Sequence, residues 1–216
     1  MLGPEAPTQV HNSIQYRDLN KNDRLDIYEN RHAPIEERVE NLLSQMTLEE
    51  KAGLMFITMI GMKSDGSTME KPILFADRMT VFFSFFLKKN AEMVASLKMN
   101  HFNIIQNLPV EILATWNNNI QKMAERTRLG IPVTIATDPR HGPGENPGAN
   151  VYTEDFSHWP TALGLAATRD TLLVQEFGDI ARQEYTAVGI RLALSPMADL
   201  ATEPRWGRIA GTFGED

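Results

Sequence analysis

A chain of 216 residues with 42% apolar content can bury a sizeable core, so it reads as one large domain or part of one and not as a disordered segment. A formal net charge of −7 argues against a nucleic-acid binder, which needs a basic face. No apolar run reaches membrane-spanning length, the nearest being VFFSFFL at 81–87, and the lack of cysteine excludes disulfides and leaves the redox compartment unreadable.

The start, MLGPEAPTQ, has no charged-then-apolar leader; a cytoplasmic chain and an exported one read from behind a removed signal peptide both fit. The first informative stretch is 18–29, DLNKNDRLDIYE. Counted from Asp18, side-chain oxygens fall at positions 1, 3, 5, 9 and 12 (Asp18, Asn20, Asn22, Asp26, Glu29), and Leu25 fills the apolar position 8. This is the spacing of an EF-hand calcium loop, where hard oxygen donors wrap one hard cation and the last Glu gives two. The candidate metal set is Asp18, Asn20, Asn22, Arg24 and Glu29. One departure is Asp23 at position 6, where the sharp turn wants glycine, although Asp tolerates a left-handed backbone better than most residues. A polar, Asx-turn-rich loop before a helix is the plainer alternative. Such loops usually come in pairs and one copy is present, so any calcium role is expected to be structural.

Residues 1–33 therefore read as an N-terminal extension, and 34–216 as one α/β region. Helical spacing of Ile35, Val39, Leu42, Leu43 and Met46 predicts a helix over 33–54 opened by Pro34, and Thr47 with Glu50 forms a capping box that restarts it. A short strand is expected at 56–59. An insert at about 63–98 opens on a polar loop and then collects Phe75, Phe82, Phe83, Phe85 and Phe86 with Met79 and Met93, and Met99 just past it. An aromatic and methionine stripe is more often core than a cofactor or lipid box, and a flap over a site fits equally.

From there the rhythm is regular. A strand at 103–108 precedes a helix at 110–128, with Ile112, Leu113, Trp116, Ile120 and Met123 on one face and Gly130 just past its end. A strand at 131–137, a helix at 169–188 and a strand at 190–194 follow. Strand, helix, strand, helix, strand at these lengths means parallel βαβ units.

Two strand ends carry chemistry. At 131–142, IPVTIATDPRHG, β-branched and apolar residues run into a polar cluster, and Pro139 ends the ladder by lacking an N–H. Taken alone this is a solvated Asp-Pro turn. At 194–216, LSPMADLATEPRWGRIAGTFGED, a second strand opens into a loop with Asp199, Arg205 and Arg208, plus Trp206. Together the two ends deliver a carboxylate for hydroxyls, guanidinium donors and an indole for a sugar ring face to one end of a parallel sheet, where (β/α) barrels keep their substrates. A surface loop whose arginines pair with Glu203 and Glu215 fits the same spacing.

The runs ERVENLLSQMTLEEKAGLM (37–55), GIPVTIATDPRHG (130–142), FSHWPTALGLAATRD (156–170) and SPMADLATEPRWGR to FGED (195–216) together resemble glycoside hydrolase family 3, of the β-glucosidase and β-xylosidase type. The resemblance covers nearly all the chain except the Phe-rich insert. It implies an α/β fold, the N-terminal portion of an incomplete (β/α)8 TIM-like barrel, and removal of terminal β-linked sugars with retention. By the same resemblance Asp138 matches the Asp that holds hydroxyls of the sugar in subsite −1, and Arg208 an arginine that binds that sugar. Arg140, His141, Arg205 and Trp206 are further candidates for the pocket wall.

The family continues with a Lys-His pair and an Asp nucleophile on a later strand, and takes its acid from beyond the barrel. This sequence stops at Asp216, before all three, so no catalytic residue is assigned and about four strands are expected. The implied partners are an oligosaccharide or β-glycoside and the remainder of the same polypeptide, with no nucleic acid and no membrane. No cofactor is needed for the chemistry, and a periplasmic or secreted location is the expectation. Two alternatives stand beside this reading: a β-N-acetylhexosaminidase of the same family, and a calcium-dependent carbohydrate-binding or docking module built on 18–29.

Overall fold

The computed structural model describes residues 2–72, 81–82, 85–144 and 151–215. Its chain divides into two compact units, one of Met1–Lys63, Thr68–Phe102 and Asn118–Val133, the other of Ser64–Ser67, Asn103–Asn117 and Thr134–Asp216.

The first unit begins with a hairpin that the sequence did not announce. Strands β1 (Thr8–His11) and β2 (Ile14–Arg17) pair antiparallel with Val10 opposite Gln15. Their turn is Asn12-Ser13, both with positive φ (48° and 65°), as a two-residue primed turn requires. Without the usual Gly after Asn, the turn has no recognisable signature. Helices α1 (Ile35–Gln45) and α2 (Leu48–Gly53) split the predicted 33–54 helix at Thr47, whose hydroxyl accepts from Glu50 N while Glu50 Oε2 accepts from Thr47 N. Strand β3 (Ile57–Met59) follows.

Long-range bonds tie the N-terminal segment to residues 125–129. Lys21 Nζ donates to the carbonyls of Leu19, Glu125 and Thr127, Tyr28 Oη donates to Leu129 O at 3.2 Å, and Arg128 pairs with Glu50. Gly130 (φ +58°) passes so close to Leu19 that a Cβ there would lie 2.9 Å from the Leu19 Cβ, hence glycine. In the Phe-rich insert Met93 is buried and Met99 just past it half-buried, as the core reading expects, and Met69 is buried too, but Phe82, Phe85 and Phe86 are exposed. Phe75, Met79 and Phe83 lie outside the described residues.

A four-stranded sheet runs in the order β3-β4-β5-β6, with β4 His101–Ile104, β5 Thr134–Thr137 and β6 Ile190–Ala193. Strand β4 and helix α3 (Val110–Glu125) each belong partly to both units. The predicted 103–108 strand is observed two residues earlier and ends at Ile104, because the carbonyls of Ile104 and Gln106 are taken by the Arg140 guanidinium. Strand β5 begins at Thr134, not 131, because the Gln121 amide takes both backbone groups of Val133, at 2.7 and 2.9 Å.

In the second unit β5 and β6 pair parallel, Ile135 opposite Ile190, as the βαβ reading expects. Short helix α4 (Ala162–Ala167) starts at Thr161, whose Oγ1 accepts from Gly164 N. Helix α5 (Thr171–Ala187) is capped by Asp170, which accepts from the amides of Leu172 and Leu173 at 3.0 Å each. Gly189 (φ +87°) turns the chain into β6. Ile135, Ala136, Phe156, Leu165, Tyr185 and Ile190 are buried here.

Candidate functional site

The site is built at the C-terminal ends of β5 and β6. Thr137 closes the β5 ladder, its carbonyl accepting from Leu194 N at 2.9 Å. Asp138 comes next and lines an open cavity of about 820 Å³, whose lining also includes His141, Phe177, Tyr185, Leu192 and Arg208. All the lining residues belong to the second unit. Asp138 Oδ2 accepts from Asn103 Nδ2 at 3.0 Å, the amide coming from neighbouring strand β4.

Arg140, expected in the pocket wall, is instead fully enclosed (0% exposed). Its guanidinium donates to Thr137 Oγ1 (2.7 Å), Thr153 Oγ1 (3.0 Å) and the carbonyls of Ile104 and Gln106. It thus clamps the ends of β4 and β5 to the 151–153 segment, and its donors are spent on protein. Burial lowers its pKa to about 10, with the charges of Tyr185 and Asp138 opposing, so it stays a cation at neutral pH.

His141 is nearly buried (3% exposed) yet touches the cavity. Its Nε2 donates to Glu184 Oε2 at 2.7 Å, and Glu184 also accepts from Ser157 N and Oγ. The ring stacks on Phe156 (centroids 5.3 Å apart, planes at 11°) and meets the edges of Phe177 and Tyr185. Burial pulls its pKa below the usual histidine value, and Glu184 offsets this only in part. His141 therefore latches the loop after β5 onto α5.

The second strand-end group divides. Arg208 is exposed and lines the cavity, its Nη2 3.7 Å from Met197 Sδ. Arg205 is not on the wall: it is exposed and forks onto Glu203 through Nε and Nη2, both at 2.8 Å, driving the Glu203 carboxyl down to about 2. Trp206 is half-buried and also absent from the lining. The structure therefore brings Asp138, His141 and Arg208 to one cavity, and leaves Arg140, Arg205 and Trp206 off its wall. The residue that sequence reasoning passed over is Asn103, whose partner lies 35 residues away and leaves no local pattern.

In the loop at 18–29, Asp18 is fully buried and accepts from Asn22 N (3.1 Å), Asp23 N (2.9 Å) and Gln9 Nε2 (3.2 Å). Glu29 accepts from the amides of Leu19, Asn20 and Asp26; burial raises its pKa and those bonds oppose the rise. Asn20 and Asn22 each turn an amide nitrogen toward Asp26 Oδ2 at 2.8 Å, and Arg24 is exposed. Asn20 Oδ1 is buried with no hydrogen-bond partner among the described residues. No three acidic or histidine side chains gather around one point among the described residues.

The sequence profile of the glycosyl hydrolase family 3 N-terminal domain matches residues 47–216. Over 202 residues the chain is 45% identical to beta-glucosidase C of Emericella nidulans, covering 92% of this chain and 30% of that protein. It is equally 45% identical over 213 residues to a periplasmic beta-glucosidase/beta-xylosidase of Dickeya chrysanthemi, covering 98% of this chain and 31% of that one. The chain thus spans about a third of the length of these relatives. Among solved structures, a β-glucosidase from Erythrobacter marinus superimposes with a TM-score of 0.60 at 21% identity, over 91% of this chain and 22% of that one, a likeness of fold.

Proposed function

The chain belongs to glycoside hydrolase family 3, and from that membership we propose that it forms the opening part of a retaining, exo-acting β-glycosidase of the β-glucosidase type. Asp138 holds hydroxyls of the terminal sugar, Arg208 donates to the same sugar, and the nucleophile and acid come from sequence after Asp216. Retention needs a carboxylate nucleophile and a carboxylic acid close together across the scissile bond. The observation that carries this reading is that Asp138, directly after β5, and Arg208, in the segment that follows its parallel partner β6, line one cavity. The substrate is a β-glycoside or a β-linked oligosaccharide. The test is Asp138→Asn in the complete polypeptide carrying this chain, assayed on aryl β-glucosides. Hydroxyl contacts strengthen in the transition state, so kcat/KM should fall about 100-fold, roughly 3 kcal/mol. Near-normal turnover rejects the role given to Asp138. An aryl N-acetylglucosaminide run beside the glucoside and xyloside separates the hexosaminidase alternative.

The loop at 18–29 carries a separate proposal, a structural calcium ion. It is supported by the oxygen spacing, by the left-handed backbone of Lys21 and Asp23 (φ 59° and 60°), and by the unpartnered buried Asn20 Oδ1. Calcium should then raise the melting temperature of the wild type and leave that of Glu29→Gln unmoved. Equal melting of the wild type in calcium and in chelator removes the ion from the account, and with it the calcium-dependent docking alternative.

A further inference from the structure

The geometry points to Asn103 as a positioning residue for sugar binding: its amide fixes the carboxylate of Asp138 in the orientation that receives sugar hydroxyls. This rests on the role proposed for Asp138 above. Asn103 is the third residue of β4, between Phe102 and Ile104, which are both buried. Alternation along the strand therefore turns Asn103 to the opposite face from those two residues. Its Nδ2 donates to Asp138 Oδ2 at 3.0 Å and, among the described residues, is the side-chain donor on that carboxylate. One carboxylate oxygen is thereby held from the protein side, and Oδ1 keeps its acceptor capacity for a ligand.

Two further observations separate this from ordinary packing. Asn103 Oδ1 is buried without a hydrogen-bond partner among the described residues. An asparagine present only to fill space would satisfy both ends of its amide or be replaced by an apolar residue of the same shape, which avoids the orphaned acceptor. Here the end that meets Asp138 is satisfied and the other is not. The nearby cation cannot substitute, because Arg140 spends its donors on Thr137, Thr153 and two carbonyls.

The experiment uses Asn103→Leu in the complete polypeptide carrying this chain, with an aryl β-glucoside and its series of mono-deoxy analogues. In the wild type, one or more analogues lose turnover because the hydroxyl held by Asp138 is missing. Asn103→Leu should lower kcat/KM for the parent about tenfold and shrink that deoxy penalty by a similar factor. Added to Asp138→Asn, it should cost little more, since both changes act on one contact. Asn103→Gln, which keeps an amide, should restore part of the discrimination. If Asn103→Leu does not fold, Asn103→Ser, too short to reach Asp138, is read the same way. An equal loss on the parent and all analogues, or full additivity with Asp138→Asn, overturns the positioning role and leaves the glycosidase reading standing. A wild-type polypeptide inactive on every aryl glycoside overturns that reading, and this inference with it.

Discussion

His141 shows what one side chain does when burial and a partner pull in opposite directions. Enclosed between Phe156, Phe177 and Tyr185, its imidazole is disfavoured as a cation despite the Glu184 carboxylate at 2.7 Å. Its folded-state pKa lies below the ordinary 6.5, so as pH falls through that value the unfolded chain takes up the proton first. Stability should be complete above about pH 7 and decline as the solution is acidified below it. Thermal unfolding followed by circular dichroism checks this, because His141→Gln should flatten that part of the profile. A wild-type melting temperature that rises on acidification would mean that the Glu184 pairing outweighs the burial. Residues of the same tripeptide run differ in how far their placement was legible. Asp138 could be placed because an apolar run ending in Asp-Pro marks a strand end. Arg140, two residues later, could not, since whether a guanidinium faces solvent or the ends of β4 and β5 depends on carbonyls more than thirty residues away.

At the scale of elements, what reads correctly is what rests on local physics. The Thr47-to-Glu50 capping box, the face of α3 and the strand-helix-strand rhythm from β4 to β6 need only neighbouring residues to be recognised. What misreads depends on remote partners. Strand β5 loses its first residues because a glutamine side chain on α3 captures the backbone of Val133, and β4 slips by two because an arginine competes for its carbonyls. The hairpin β1–β2 escapes notice for a third reason: Asn12-Ser13 adopts a left-handed turn without glycine, so tertiary context overrides the turn preference. Among aromatic residues the expectation of a core held only in part. Phe82 and Phe86 pack on each other with centroids 4.8 Å apart but remain exposed, whereas Met69 and Met93 fill buried space as flexible side chains do.

For the molecule as a whole, the telling quantity is apolar surface without a partner. No residue of α1 is buried, and its regularly spaced Ile35, Val39 and Leu43 are exposed, as are Leu48, Met55, Phe56 and Ile57. On β6 the pattern is one buried residue followed by three exposed, with Leu192 and Leu194 open beside the cavity. Faces of this kind on a chain about one third the length of its relatives are surfaces that further strands and helices would cover. Residues 1–216 purified alone should therefore release no measurable product from aryl β-glucosides, and robust turnover by that fragment would refute the division of labour proposed here. The acidic net charge of −7 bears on solubility and does not compensate for those faces.

The fastening of the N-terminal segment to residues 125–129 also bears on the order of events during synthesis. Lys21 and Tyr28 reach their acceptors across 101 to 106 positions of sequence, and Arg17 reaches Glu125 across 108. A ribosome adding on the order of 5–20 residues per second delivers the hairpin several seconds before the carbonyls that anchor it. Residues 8–28 must thus wait in solution for a helix terminus not yet made, and contacts of such separation are the kind that slow folding. That hairpin segment is fastened only once a stretch of chain about a hundred residues further on exists.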